Sequence, residues 1–596
     1  MLHKNLCRRV INPCLTIIFL FASIAPMALA QRVQPASKQA APKLVLLIVV
    51  DQFRYDYLDR FGNLFGPSGI RRLLRDGGSW TDANYDHVPT YTAPGHATMM
   101  TGAWPAETGI VANEWPDRET GKRVTSVSDT GAILFGGGPA EAASSPRRLM
   151  ASTLGDELRL STNGRSKVIG VSIKDRAAIL PAGRHANAAY WFSSQSGSMV
   201  SSNYYFNQLP DWVQRFNATR PADKYFNAKW ERILPESEYL KYAGDDSPSW
   251  ETDSAGIKRT NTSFPHIVTS RSGKPDPAFY QALDSTPFAN DLLLGFAEQV
   301  IQNENLGADD DTDLLTVSFS ANDYVGHLYG PYSQEVMDIS LNVDRDISTL
   351  LDYIDKRIGL QNTLVVFTAD HGAAPIPEQA AVLGLAGSRI DSSDVVRSIR
   401  KDISARFNPK NLSPDPTMDY LWSLRENPGT QDALANANIY LNIPALKRDG
   451  ISSQVIEDAA CEAAMTVPGI NRCFTRTQLM HGAISPTDPI ARRVLHGFYP
   501  RRSGDIILIY DAFKYLGDSI PATHGSPYSY DTHVPMVIMG GGIIHGRYQN
   551  SATPADIAPT LASILRLQPP SNSVGRILFE AFPSMINPSA TNVRQN

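Results

Sequence analysis

Thr92 stands directly ahead of Ala93-Pro94-Gly95-His96. Proline suits the first turn of a helix, where its missing N–H is not needed. The spacing therefore predicts Thr92 near a helix N-cap, where unpaired N–H groups and the positive end of the helix dipole favour an alkoxide or a bound phosphate. Alone, such a threonine is only a cap. What gives it weight is Asp51, Asp323, His327, Asp370, His371 and His524, six N/O ligand candidates from four separate segments. Six suffice for two metal ions with three protein ligands each, leaving positions open for a nucleophile and a substrate. Imidazole mixed with carboxylate suits zinc better than manganese, iron or calcium, so two Zn2+ per chain are the expected cofactors. Charge growing on the oxygens of a transferred phosphoryl group needs fixed donors. Lys174 and Arg176, two apart on an expected extended chain and so on one face, supply two cations. Asn113 supplies a neutral donor.

These side chains need a frame that brings strand ends together. Lys43–Val50 is a continuous apolar run, the mark of a strand buried on both faces of a parallel sheet, and it ends on Asp51. Lys167–Ile173, Leu314–Ser320 and Thr363–Thr368 repeat the pattern and deliver Lys174, Asp323 and Asp370. In open parallel sheets ligands collect at such carboxyl ends. Apolar residues at helical spacing from Val336 to Ile354, stopped by Gly359, complete a βαβ unit. The expected fold is α/β, a mainly parallel sheet sandwiched by helices. Its core segments are 43–190, 281–380 and 501–575, the last opening with a strand over Asp505–Tyr510. An irregular insertion at 191–280 and a small α/β lobe at 381–500 interrupt it, and 576–596 is a tail.

The chain of 596 residues has a formal net charge of −5 and no basic tract, which argues against a nucleic-acid partner. Residues 1–30 combine Lys4, Arg8 and Arg9, an apolar run from Leu15 to Ile24, and Ala28 and Ala30 at an A-x-A position, the pattern of a secretory signal cut before Gln31. Residues 31–42 read as a disordered lead-in. No later apolar run approaches the roughly 20 residues of a membrane span, so a periplasmic or secreted monomer without membrane attachment after cleavage is expected. Cys461 and Cys473 remain in the mature chain, compatible with one disulfide or with two separate thiols.

Together these residues resemble the alkaline phosphatase superfamily, specifically its bacterial secreted members with a threonine nucleophile, which are similar in core fold to nucleotide pyrophosphatase/phosphodiesterases. The likeness runs from Asp51 through Thr92-Ala93-Pro94-Gly95-His96, Asn113, Lys174-Asp175-Arg176, Asp323-x-x-x-His327 and Asp370-His371-Gly372 to Thr523-His524-Gly525. It implies one zinc held by Asp323, His327 and His524 and another by Asp51, Asp370, His371 and Thr92. It also implies that Asn113, Lys174 and Arg176 contact the phosphoryl group, and that small phosphate monoesters are hydrolysed through a phosphothreonine intermediate. His533 competes with His524; the Thr-His-Gly pattern favours His524. His96 reads as structural. The rival readings are a phosphodiesterase or nucleotide pyrophosphatase and, from another class, an inactive metal-binding scaffold. A sulfatase is disfavoured because the Cys/Ser-x-Pro-x-Arg motif is absent at the nucleophile, and a membrane phosphoethanolamine transferase because membrane helices are missing.

Overall fold

The strand Leu44–Val50 is buried along its whole length. Leu44, Leu46, Ile48 and Val50 enter one hydrophobic core while Val45, Leu47 and Val49 enter a second, because successive side chains of a strand point to opposite faces. In this computed structural model the strand pairs in parallel with Asp313–Phe319 on one side and Thr363–Thr368 on the other. Val168–Ser172 and then Ala188–Ser193 extend the parallel run. Antiparallel strands flank it, and the sheet has ten strands among the described residues. Helices Pro287–Asn303 and Gln334–Arg357 cover one face; Thr92–Thr101 and Ile557–Leu565 cover the other. This is the α/β class expected, and it brings the carboxyl ends of four neighbouring parallel strands, with Asp51, Lys174, Asp323 and Asp370 just beyond them, to one edge.

The structure describes residues 41–583 apart from 247, 249, 251–261, 408–419, 423–433, 436, 486 and 518–519. The expected signal peptide, nearly all of the lead-in and most of the tail lie outside these. Within the tail, Leu578 and Ala581 are buried in the second core. Among the described residues no helix is long and apolar enough to cross a membrane.

Two segments differ from expectation. Ala188–Ser193 and Ser198–Ser202 belong to the main sheet, and helices Asp211–Ala218 and Glu236–Tyr242 follow, so 191–280 is neither wholly irregular nor wholly an insertion. Ile506–Tyr510 is a strand of the lobe, paired antiparallel with Ile470–Thr475 and Asn438–Ile439, and not an opening strand of the core. Its apolar run marks burial, and burial is the same on either sheet.

In the lobe, Cys461 on the helix Ser453–Ala464 is bonded to Cys473 on the strand Ile470–Thr475, with Cα atoms 5.4 Å apart. Closing a loop of this size contributes roughly 3 kcal/mol on a chain-entropy estimate. Cys461→Ala/Cys473→Ala should lower lobe stability by about that amount. Urea unfolding of wild type and variant, each with and without reductant, measures it; reductant should shift only the wild type.

Candidate active site

The helix Thr92–Thr101 begins after Tyr91, which is extended, so Thr92 lies inside the first turn and is not itself the cap. The Ala93 N–H donates to Asn113 Oδ1 at 2.8 Å. One orphan donor of the helix start is thus satisfied by a side chain from the next loop, and Asn113 keeps only its Nδ2 to offer a ligand. A Cβ on Gly95 would stand 2.2 Å from the Asp370 carbonyl oxygen. Only glycine permits this close approach of helix and loop, and it brings Thr92 Oγ within 3.4 Å of His371 Nε2. Thr92 is 1% exposed.

Three imidazoles share one device. Nδ1 of His327, His371 and His524 lies 2.7, 2.9 and 2.7 Å from the carbonyl oxygens of Ala522, Gly372 and Thr90. A carbonyl can only accept, so each Nδ1 carries a proton and, in the neutral ring, each Nε2 keeps the lone pair. The Nε2 atoms converge on carboxylates: His327 on Asp323 Oδ1 at 3.2 Å, His524 on the same oxygen at 3.5 Å, and His371 on Asp370 Oδ2 and Asp51 Oδ1 at 3.3 and 3.5 Å. Two ligands each about 2.0–2.1 Å from one tetrahedral zinc stand about 3.3 Å apart. The spacing is that of ligands around a shared ion. His371 and His524 also stack, with ring centroids 3.5 Å apart. Burial, then His371 and His327, push His524 well below the ordinary histidine range, and burial lowers His371, which keeps both neutral as ligation requires.

The carboxylates test the fit from the other side. Asp51 and Asp370 are fully buried, and Asp51 Oδ1 and Asp370 Oδ2 have no hydrogen-bond partner. Burial, then Asp370, push Asp51 well above the usual carboxylate range. Such an arrangement is costly unless a cation lies between the oxygens. Ligating atoms gather within 4.8 Å in two groups, Asp51 with Asp370 and His371, and Asp323 with His371 and His524. His371 is common to both groups, while His327 adjoins the second through Asp323. The residues fit divalent metal binding.

Lys174 departs from the expected geometry. It caps the helix Asp175–Ala182, so Arg176 lies in a helical first turn and the extended-chain reason for a shared face fails. Lys174 Nζ lies 2.7 Å from Asp51 Oδ2 and 2.5 Å from Asp323 Oδ2, tying the two groups together. Burial opposes its charge, but Asp323 and Asp51 outweigh burial and keep it protonated. Arg176 Nε is buried without a hydrogen-bond partner, and the nearest carboxylate, Asp175, is 3.9 Å from Nη1.

His533 lies apart, with Nε2 3.0 Å from the Thr81 carbonyl oxygen and its ring stacked on Tyr55. His96 bonds the Thr92 carbonyl oxygen and Ser318 Oγ, each at 2.9 Å, and stands 3.3 Å from Asp370 Oδ2. Gln52 escapes the sequence reading. Its backbone N–H donates to Asp370 Oδ1 and its Nε2 to Asp323 Oδ1 at 2.6 Å, from a left-handed φ of 62°. Gly326 makes room for it, since a Cβ there would stand 1.8 Å from Gln52 Oε1. The only signal was its place beside Asp51.

A fold of this kind with a hydroxyl beside two cation-ready groups defines a class of metal-dependent esterases, and similarity narrows it. A model of the type I phosphodiesterase / nucleotide pyrophosphatase family matches residues 45–418. Alkaline phosphatase PhoV of Synechococcus elongatus is 35% identical over 95% of this chain and 98% of its own. Alkaline phosphatase PafA of Elizabethkingia meningoseptica is 35% identical over 90% and 94%. A Myroides odoratus protein named as a calcium-transporting ATPase is 34% identical over 92% and 96%. The crystal structure of wild-type PafA matches with a TM-score of 0.80 and 33% identity over 91% of this chain and 99% of PafA. The chain belongs to the type I phosphodiesterase / nucleotide pyrophosphatase family and is an enzyme of its alkaline phosphatase type.

Proposed function

We propose that this enzyme is an exported monomeric hydrolase that cleaves small phosphate monoesters through a phosphothreonine intermediate, with two zinc ions held at the site. The observation that carries the reading is the trio of carbonyl-anchored imidazoles whose Nε2 atoms meet buried carboxylates beside Thr92 Oγ. Asp323, His327 and His524 would hold one zinc; Asp51, Asp370 and His371, with Thr92, would hold the other. When bound, zinc supplies the Lewis acidity that lets the Thr92 hydroxyl ionise and offsets charge on the leaving oxygen. Thr92 Oγ then bonds to phosphorus as the ester P–O bond breaks and the alcohol departs. Water cleaves the phosphothreonine in a second displacement, releasing phosphate and restoring the hydroxyl. Asn113 Nδ2 and Arg176 donate to the non-bridging oxygens, and Lys174 adds positive charge from between the carboxylates. Gln52 holds Asp323 through its Nε2 and Asp370 through its backbone N–H. Export is supported by the disulfide, a bond of oxidising compartments.

The metal assignment is tested by content per chain. His524→Ala should lose close to one zinc and nearly all turnover, because it removes about a third of one ion's protein ligands. His533→Ala should keep both. Elemental analysis of the two purified variants decides it, and a His533→Ala protein short of one ion beside a fully loaded His524→Ala protein would reverse the assignment.

A further inference from the structure

A cavity of about 240 Å³ lies where the core meets the lobe. Core residues Tyr91, His524 and Tyr530 form one side, and the lobe contributes Tyr440, Ile509 and Tyr510. Its position relative to the nucleophile follows from three contacts. Thr92 Oγ is 3.4 Å from His371 Nε2, the His371 ring stacks at 3.5 Å on His524, and His524 is in the cavity wall with Tyr91 packed edge-on against it. The cavity thus adjoins the histidine pair, and Tyr91, the residue before Thr92, also lines it. In-line displacement at phosphorus expels the leaving group on the side away from the nucleophile.

The lining selects a chemistry. The Tyr440 hydroxyl donates to the Arg502 carbonyl oxygen and the Tyr530 hydroxyl accepts from the Phe513 N–H, so these residues offer the cavity mainly their rings. The Tyr510 hydroxyl is buried and makes no hydrogen bond. Aromatic walls suit an aromatic ring, which pairs edge-on or offset with its neighbours. The volume is below the roughly 300–1,000 Å³ of pockets that take whole drug-sized ligands, and fits one ring with its carbinol carbon.

Resting on the phosphatase reading above, we propose that this cavity is the leaving-group subsite and that it selects phosphate esters of single-ring aromatic alcohols. The test compares benzyl phosphate with methyl phosphate, whose leaving alcohols are similar in basicity, in the zinc-loaded full-length enzyme. In wild type kcat/KM should favour benzyl phosphate by about tenfold or more, the scale on which enclosed apolar groups are discriminated. Ile509→Trp, which fills the cavity, and Tyr510→Ala, which removes an aromatic wall, should each bring the ratio towards one. Inhibition by inorganic phosphate, which lacks a leaving group, is measured in each protein as a reference for the phosphoryl site. A wild-type ratio near one, or a benzyl preference kept in both variants, overturns the subsite. Failure of the wild type to hydrolyse either ester overturns the phosphatase reading itself, an outcome distinct from loss of selectivity.

Discussion

Thr92→Ala should lower kcat/KM for a phosphate monoester by on the order of 10⁴ or more, the scale seen when a covalent nucleophile is removed, while the folded protein keeps its metal. Its hydroxyl makes one polar side-chain contact, 3.4 Å from His371, whereas each proposed ion retains carboxylate and imidazole ligands. Shortening Thr92 to alanine inside a first helical turn should cost about 1 kcal/mol of stability. Acid quenching of wild type during turnover should trap phosphate on the chain, and the variant should trap none. Thr92→Ser keeps the hydroxyl and should retain measurable turnover. If Thr92→Ala hydrolyses monoesters at an appreciable fraction of the wild-type rate, attack does not pass through Thr92. If it loses all zinc as well as activity, the hydroxyl is a structural ligand and the inactive-scaffold reading gains.

The placing of Asp51, Asp323 and Asp370 at the carboxyl edge of the sheet was legible because an apolar run stops shortly before each. Leu44–Val50, Asp313–Phe319 and Thr363–Thr368 announce themselves as strands buried on both faces, and the next polar residue falls at the carboxyl edge. Gly78–Ala83 was missed because Ser79, Thr81 and Asp82 break its apolar character; it is a strand through its pairing with Met536–Met539 and Gly546–Ala552. The helix Asp175–Ala182 was hidden by Pro181 near its end, and with it the reason why Lys174 and Arg176 play different parts. Gln52 was out of reach: its role needs a left-handed backbone and a partner 271 residues away. Likewise Ile506–Tyr510 reads as any buried strand, and only pairing partners assign it to the lobe.

That difference between the two cations sets the second large effect. A monoester dianion presents three non-bridging oxygens and two charges, a diester two and one, so donors that read the extra oxygen should favour the monoester. Lys174 is held between Asp51 and Asp323, whereas Arg176 has a buried Nε with no partner and no carboxylate closer than 3.9 Å. Hydrogen bonds to ionised groups contribute about 1.5–3 kcal/mol each. Lys174→Ala/Arg176→Ala should therefore cost monoester turnover roughly two to four powers of ten, allowing for non-additivity, and diester turnover much less. Removing Lys174 also takes the ammonium group away from the buried oxygens Asp51 Oδ2 and Asp323 Oδ2, which destabilises in its own right, so Arg176→Ala alone is the cleaner probe and should carry most of the selectivity. The measurement is kcat/KM for an aryl phosphate and its methyl diester in wild type, Arg176→Ala and the double variant, with zinc content and melting temperature recorded for each. Equal losses on both substrates in Arg176→Ala, at full zinc occupancy, would mean that the guanidinium does not read phosphate charge, and would move the phosphodiesterase reading to first place.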